Sequence, residues 1–180
     1  FDHRAPTFDN GGTVTQLRYL AHFVAATQDA TARAAFERGF DFVLSAQYEN
    51  GGWPQYFPLI KGYYTHITYN DNAMISRLTL LRETAQARKP FDFVDQPRRA
   101  QAAAAVEKGI ACILRTQVKQ DGKLTAWCAQ HDEKTFEPVW ARNFEPPSLS
   151  GAESHLDFPK FLRAVAPSAA QVVARVVSVL

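Results

Sequence analysis

The chain is 180 residues long, 46% hydrophobic and 21% charged, which is enough apolar material for one domain with a sizeable core. Twenty Lys+Arg against 18 Asp+Glu, mixed along the chain, leave a net charge of +2, which argues against a basic nucleic-acid-binding surface and an acidic disordered tail. No apolar run approaches the roughly 20 residues that span a bilayer, so no membrane partner is expected. The two cysteines, Cys112 and Cys128, make neither a disulfide framework nor a zinc spacing. Aromatic residues reach 12%, which suits an aromatic-lined cleft.

Asp9-Asn10 opens the first helical pattern, with Val14, Leu17, Leu20 and Val24 on one face. A second helix follows, with Phe36, Phe40, Val43, Leu44 and Gln47 aligned, so a helix pair runs from 9 to 49. A Gly-containing loop, Asn50-Gly51-Gly52-Trp53-Pro54, comes next. Tyr63-Tyr64-Thr65-His66-Ile67-Thr68-Tyr69 is the only β-like run, too little for a sheet. Asp71-Asn72 opens a second pair, running from 71 to 119, with Ile75, Leu78, Leu81 and Ala85 and then Val106, Ile110, Ile113, Leu114 and Gln117. A polar, Pro-containing loop occupies 125–150. Pieces of a third pair extend from about 151 to 180 and end on Val172, Val173, Val176 and Val177, an uncovered apolar face. With Phe1 in first place, the expectation is a single domain over 1–180 cut from a longer protein, truncated at its C-terminal end.

The pairs are related to each other. Phe36-Glu37-Arg38-Gly39-Phe40 matches Val106-Glu107-Lys108-Gly109-Ile110, and Gln47 matches Gln117. Helix pairs that cannot bury their apolar faces alone stack side by side. The expected class is all-α: helical hairpins that close into an α/α toroid, here an incomplete one, or stay open as a solenoid.

Asp and Asn are favoured helix N-caps, which is one reading of both Asp-Asn pairs. The other is that equivalent helices begin at one rim, where Asp9, Asn10, Asp71 and Asn72 supply oxygen ligands for a hard cation such as calcium. Trp53 is either a plug packed between helices or, with Tyr56, Tyr63 and Tyr64, part of a ligand groove. His66 reads as a packing residue or a ligand contact. Arg142, between Trp140 and Phe144, is either a charge held rigidly out of water or one half of a surface pair with Glu145 or Asp132. Cys112 falls on an apolar helix face, and nothing marks Cys128 as a nucleophile.

Asp9-Asn10-Gly-Gly-Thr-Val-Thr-Gln-Leu-Arg-Tyr-Leu-Ala21 resembles the pectate lyases of polysaccharide lyase family 10. So do Gly51-Gly-Trp-Pro-Gln-Tyr-Phe-Pro58, Tyr64-Thr-His-Ile-Thr-Tyr-Asn-Asp-Asn-Ala-Met74, Thr125-Ala-Trp-Cys-Ala-Gln-His-Asp132 and Ala141-Arg-Asn-Phe-Glu-Pro-Pro-Ser-Leu-Ser150. The similarity covers roughly residues 8 to 155 in order. It implies an α/α toroid longer than this chain and calcium-assisted anti-β-elimination on polygalacturonate, giving 4,5-unsaturated oligogalacturonides. A base takes the C5 proton of a galacturonate unit and the C4 glycosidic oxygen departs, while calcium and cationic side chains stabilise the growing negative charge. The resemblance implies metal ligands at Asp9, Asn10 and Asp71, a catalytic Asp9, and Arg142 as the Brønsted base. Asn10, Trp53, Tyr64, His66 and Trp127 are the expected substrate contacts. The implied partner is pectin, which lies outside the cell, so the expected location is secreted or periplasmic. Two alternatives stand beside this reading: an inactive carbohydrate-binding remnant of a lyase, or another α/α toroid enzyme, since Gln47-x-x-x-Gly51-x-Trp53 also resembles a terpene cyclase motif.

Overall fold

Five helices organise the computed structural model, which describes residues 6–150 and 158–165: α1 (Gly12–Thr27), α2 (Ala30–Ser45), α3 (Ala73–Ala85), α4 (Gln96–Arg115) and α5 (Phe158–Val165). The strands are two residues each: β1 (Ile67–Thr68), β2 (Lys119–Gln120), β3 (Lys123–Leu124) and β4 (Gln130–His131). They pair antiparallel as β1–β4 and β2–β3, so the β-like run before Asp71 supplies one strand of a small ribbon. The all-α expectation holds. α1 packs on α2 and α3 on α4, and the two hairpins lie side by side through α1–α3 and α2–α4. Of the third pair, α5 is described, and the helix expected around Val172 and Val176 lies outside the described residues.

The repeat is visible atom by atom. A Cβ on Gly39 would stand 2.7 Å from Leu17 Cδ2, and one on Gly109 would stand 2.5 Å from Leu78 Cδ2. Glycine therefore lets α2 close onto α1 and α4 onto α3 at matching places, because any side chain there would displace a core leucine. Trp53 Nε1 donates to the carbonyl of Val43 (2.9 Å) and Trp127 Nε1 to that of Ile113 (2.6 Å), the equivalent residues of α2 and α4. Gln47 Nε2 donates to Gly51 O, and Gln117 Nε2 to Thr125 O, tying each following loop to its helix. The second helix of each hairpin is capped by an aspartate: Asp29 accepts from the amide of Ala32 and Asp95 from that of Arg98.

Two connections leave the hairpins, one over 46–72 and one over 116–150. β1 belongs to the first and β4 to the second, with Ile67 opposite His131 and Thr68 opposite Gln130. Their pairing brings both loops, and the polar residues they carry, to one place.

Candidate functional site

The two Asp-Asn pairs share an unusual backbone. Asn10 (φ 48°), Asp71 (φ 56°) and Asn72 (φ 58°) are all left-handed, a conformation that non-glycine residues keep only where the surroundings impose it. Neither pair caps its helix through a side chain: the N-cap of α1 is Gly11 and that of α3 is Asn72, each without a side-chain cap bond. Asp9 instead accepts from Gln55 Nε2 at 3.0 Å and from the amide of Asn10 at 3.0 Å. Asp71 accepts from Asn70 Nδ2 at 2.7 Å. The amide that braces each aspartate keeps its own oxygen buried and without a hydrogen-bond partner, Gln55 Oε1 in one case and Asn70 Oδ1 in the other. Such oxygens are costly unless something electropositive reaches them. The turn that bears Asp9 packs against α3, the helix that Asp71-Asn72 opens.

Beneath that contact lies Arg77 of α3, fully buried. Its guanidinium sits 4.5 Å from the ring centroid of Phe8 and 5.6 Å from that of Trp53, and Nη1 donates to Pro54 O at 3.2 Å. No carboxylate pairs with it among the described residues, and burial pushes its pKa down to about 9. Nothing in its helical position distinguishes it in the sequence from a solvated arginine, and the sequence reading overlooks it.

Arg142 sits in a tight turn closed by Glu145, whose amide donates to Arg142 O at 2.8 Å. Arg142 Nε donates to Glu145 Oε2 at 2.8 Å, Nη2 donates to Oε1, and the Arg142 amide donates to Oε2 at 3.1 Å. Of the readings of Arg142, the structure has the surface pair with Glu145. The side chain is 57% exposed, and its guanidinium lies 5.0 Å from the centroid of Phe144. The bond to Glu145 raises its pKa above the ordinary value, and the Asp71 carboxylate acts in the same direction. Tyr63 is in turn pushed up to about 12, chiefly by burial and then by its bond to Tyr64. Arg142, Asp71 and Tyr63 therefore lie within electrostatic reach of one another.

The aromatic expectations divide. Trp53 and Trp127 are fully buried, with both indole N–H groups bonded to helix carbonyls, so they are core plugs with no exposed surface for the ligand contact expected of them. The reason is that the hairpin ends must be closed, and an indole fills that space while satisfying a terminal carbonyl. Tyr64 is half-buried, with its ring 5.1 Å from Tyr56 and 4.1 Å from Tyr63. Trp140 and Phe144, on either side of Arg142, are both exposed (55% and 73%). His66 Nδ1 meets Glu133 Oε2 at 3.1 Å. Cys112 and Cys128 are both buried, and burial pushes each thiol up, which leaves them protonated and unreactive.

A cavity of about 260 Å³ opens beside the Arg142 turn, lined by Asn70, Gln130, Ala141, Glu145, Pro146 and Ser148. Gln130 is 4% exposed and its Oε1, like Asn70 Oδ1, has no partner. The lining thus includes Asn70 and Gln130, which carry those oxygens, and Glu145, the partner of Arg142, polar groups suited to a hydroxyl-rich ligand.

The family model described as Pectic acid lyase matches residues 2–179. The structure superposes on the family 10 polysaccharide lyase from Cellvibrio cellulosa with a TM-score of 0.92 at 38% identity. A mutant of that lyase, in complex with trigalacturonic acid, matches equally well. In both cases 97% of this chain is covered, and the chain spans 55% of the relative's length. No curated protein sequence matches it. With its helical repeat, its loop motifs and its matched length in agreement, the chain belongs to the pectic acid lyase family.

Proposed function

We propose that the protein acts on polygalacturonate as a pectate lyase, by calcium-assisted anti-β-elimination to 4,5-unsaturated oligogalacturonides. The observation that carries this reading is the pair of left-handed Asp-Asn turns, each freed from capping and each with an orphaned amide oxygen beside it. Backbone strain without a capping return is a mark of ligand binding. Asp9, Asn10 and Asp71 supply the hard oxygens that calcium takes, and Gln55 Oε1 and Asn70 Oδ1 are unsatisfied acceptors suited to the same ion. When bound, calcium neutralises the uronate carboxylate and so acidifies the proton on C5.

Arg142 supplies the nearby cation. While paired with Glu145 it stays charged, and in that state it attracts a uronate carboxylate and stabilises the negative charge that builds at C5 and its carboxylate. To take the C5 proton it must first leave Glu145 and lose its own, which a desolvated guanidinium beside other cations does more readily than an exposed one. Trp140 and Phe144 offer flat apolar faces for the sugar rings, and Tyr64 and His66 flank the approach. Gln130 Oε1 accepts a sugar hydroxyl in the adjoining cavity. The substrate is a cell-wall polymer, so the protein works outside the cytoplasm. No helix among the described residues is long and apolar enough to cross a membrane.

Arg142→Ala tests the assignment: general-base and charge-stabilising groups contribute about 10² to 10⁴ in rate, so formation of the C4=C5 bond, read as ultraviolet absorbance, should fall at least about 100-fold. Retained activity in a folded Arg142→Ala variant removes Arg142 from the mechanism. A second reading, a carbohydrate-binding module without turnover, is favoured by the closed Arg142–Glu145 pair. Pectate binding with no absorbance growth in calcium, in the unaltered chain, identifies that case.

A further inference from the structure

We infer that His66, Asp132 and Glu133 form a binding site for a first-row divalent ion, zinc or manganese, separate from the Asp9–Asp71 oxygens. One ligand atom from each of the three lies within 4.8 Å of the other two, and all three residues are half-buried. The set is held by the ribbon itself. Ile67 faces His131 across β1–β4, so His66 and Asp132 are the next residues on the facing strands. Glu133 is tied from another direction: its carbonyl accepts from Asn50 Nδ2 at 2.7 Å, in the loop after α2. Tyr48, in the same loop, donates its hydroxyl to Thr65 O at 2.7 Å and so fixes the residue before His66.

Two carboxylates, adjacent in sequence, converge here, and among the described residues neither forms an ion pair with a lysine or arginine. Glu133 has only His66, at 3.1 Å. Asp132 turns Oδ1 to the amides of Lys134 and Thr135, both at 2.8 Å, which orients the carboxylate in the manner of a ligand braced from behind. His66 Nδ1 and Glu133 Oε2 share a hydrogen bond at 3.1 Å, which already holds them at about the separation of two ligands on one ion. One imidazole with two carboxylates suits zinc or manganese, whereas calcium takes oxygen alone. The ion joins the loop after α2, β1 and the end of β4, and thereby stiffens the segment that leads through Val139 to Arg142.

The full chain, freed of metal with chelator, is titrated with zinc and with manganese chloride in a calorimeter. Cobalt is added separately to read ligand-field bands in the visible. One ion per chain is expected, with affinity reduced at least about tenfold in folded His66→Gln and Glu133→Gln variants and unchanged in Asp71→Asn. If either of the first two does not fold, Asp132→Asn replaces it, since its Oδ1 still caps the Lys134 and Thr135 amides. Absence of stoichiometric binding, or loss in Asp71→Asn with retention in His66→Gln and Glu133→Gln, overturns the inference. Lyase activity takes no part in the readout, so the site and the proposed function stand or fall separately.

Discussion

Arg77 is the residue whose environment departs most from what its type suggests. A guanidinium with no counter-ion among the described residues is held between the rings of Phe8 and Trp53 and bonded to the carbonyl of Pro54. Lysine carries the same charge but has no planar fork to stack and bond at once. Arg77→Lys should therefore cost about 1–3 kcal/mol, read as a lowered midpoint in denaturant with an unchanged slope. An unaltered midpoint would mean that the stacking and the Pro54 bond contribute nothing. Because Phe8 adjoins Asp9, Arg77 also sets where that aspartate stands. In this respect it positions the site and takes no part in the chemistry.

Among the helices, capping falls to Asp29 and Asp95, and the aspartates proposed to hold calcium cap nothing through their side chains. Asp29 and Asp95 begin α2 and α4 with extended backbone and accept the amides three residues on. Replacing either by alanine should cost about 1 kcal/mol. Asp71 caps nothing, so Asp71→Asn should leave stability within about 0.5 kcal/mol while abolishing calcium-dependent elimination. Thermal melts of the three variants beside the absorbance assay check both halves, and a large loss of stability in Asp71→Asn would return that residue to a structural role. Sequence alone leaves the two uses of Asp open, since the residue type is the same. The difference lies in φ, which is −65° and −66° at the caps and 56° at Asp71.

For the whole molecule, the ribbon that joins the two hairpin loops is also its acid-sensitive part. His131 is fully buried: its Nε2 accepts the amide of Cys128, so Nδ1 carries the proton and donates to Phe136 O. Burial lowers its pKa below 6.5. The unfolded chain then takes up a proton as pH falls through 6.5 while the folded chain resists, so this stability is complete above 6.5 and is lost as pH falls through the folded value. Melting temperature should drop between pH 7 and 5, and the drop should be shallower in His131→Gln. Equal slopes in the two proteins would locate the acid sensitivity elsewhere. A second, lower fall is expected from Asp95, Asp132 and Glu145, whose carboxylates are held below their ordinary values by the bonds they accept.

Local pattern determined the helices, their pairing into two related hairpins and the loops that carry polar residues, because apolar period and glycine position act over a few residues. Gly39 and Gly109 were legible as matching positions of the repeat, while the leucine that each meets on the preceding helix came from the packing. Tertiary structure decided the rest. Trp53 and Trp127 became plugs because the hairpin ends needed filling, Arg142 closed on Glu145 because a four-residue turn put them face to face, and Arg77 was buried because Phe8 folded over α3. His66 met Asp132 and Glu133 only through the pairing of β1 with β4, two short strands more than 60 residues apart in the chain. Contacts across such separations depend on how the hairpins stack, and no single stretch of sequence records that.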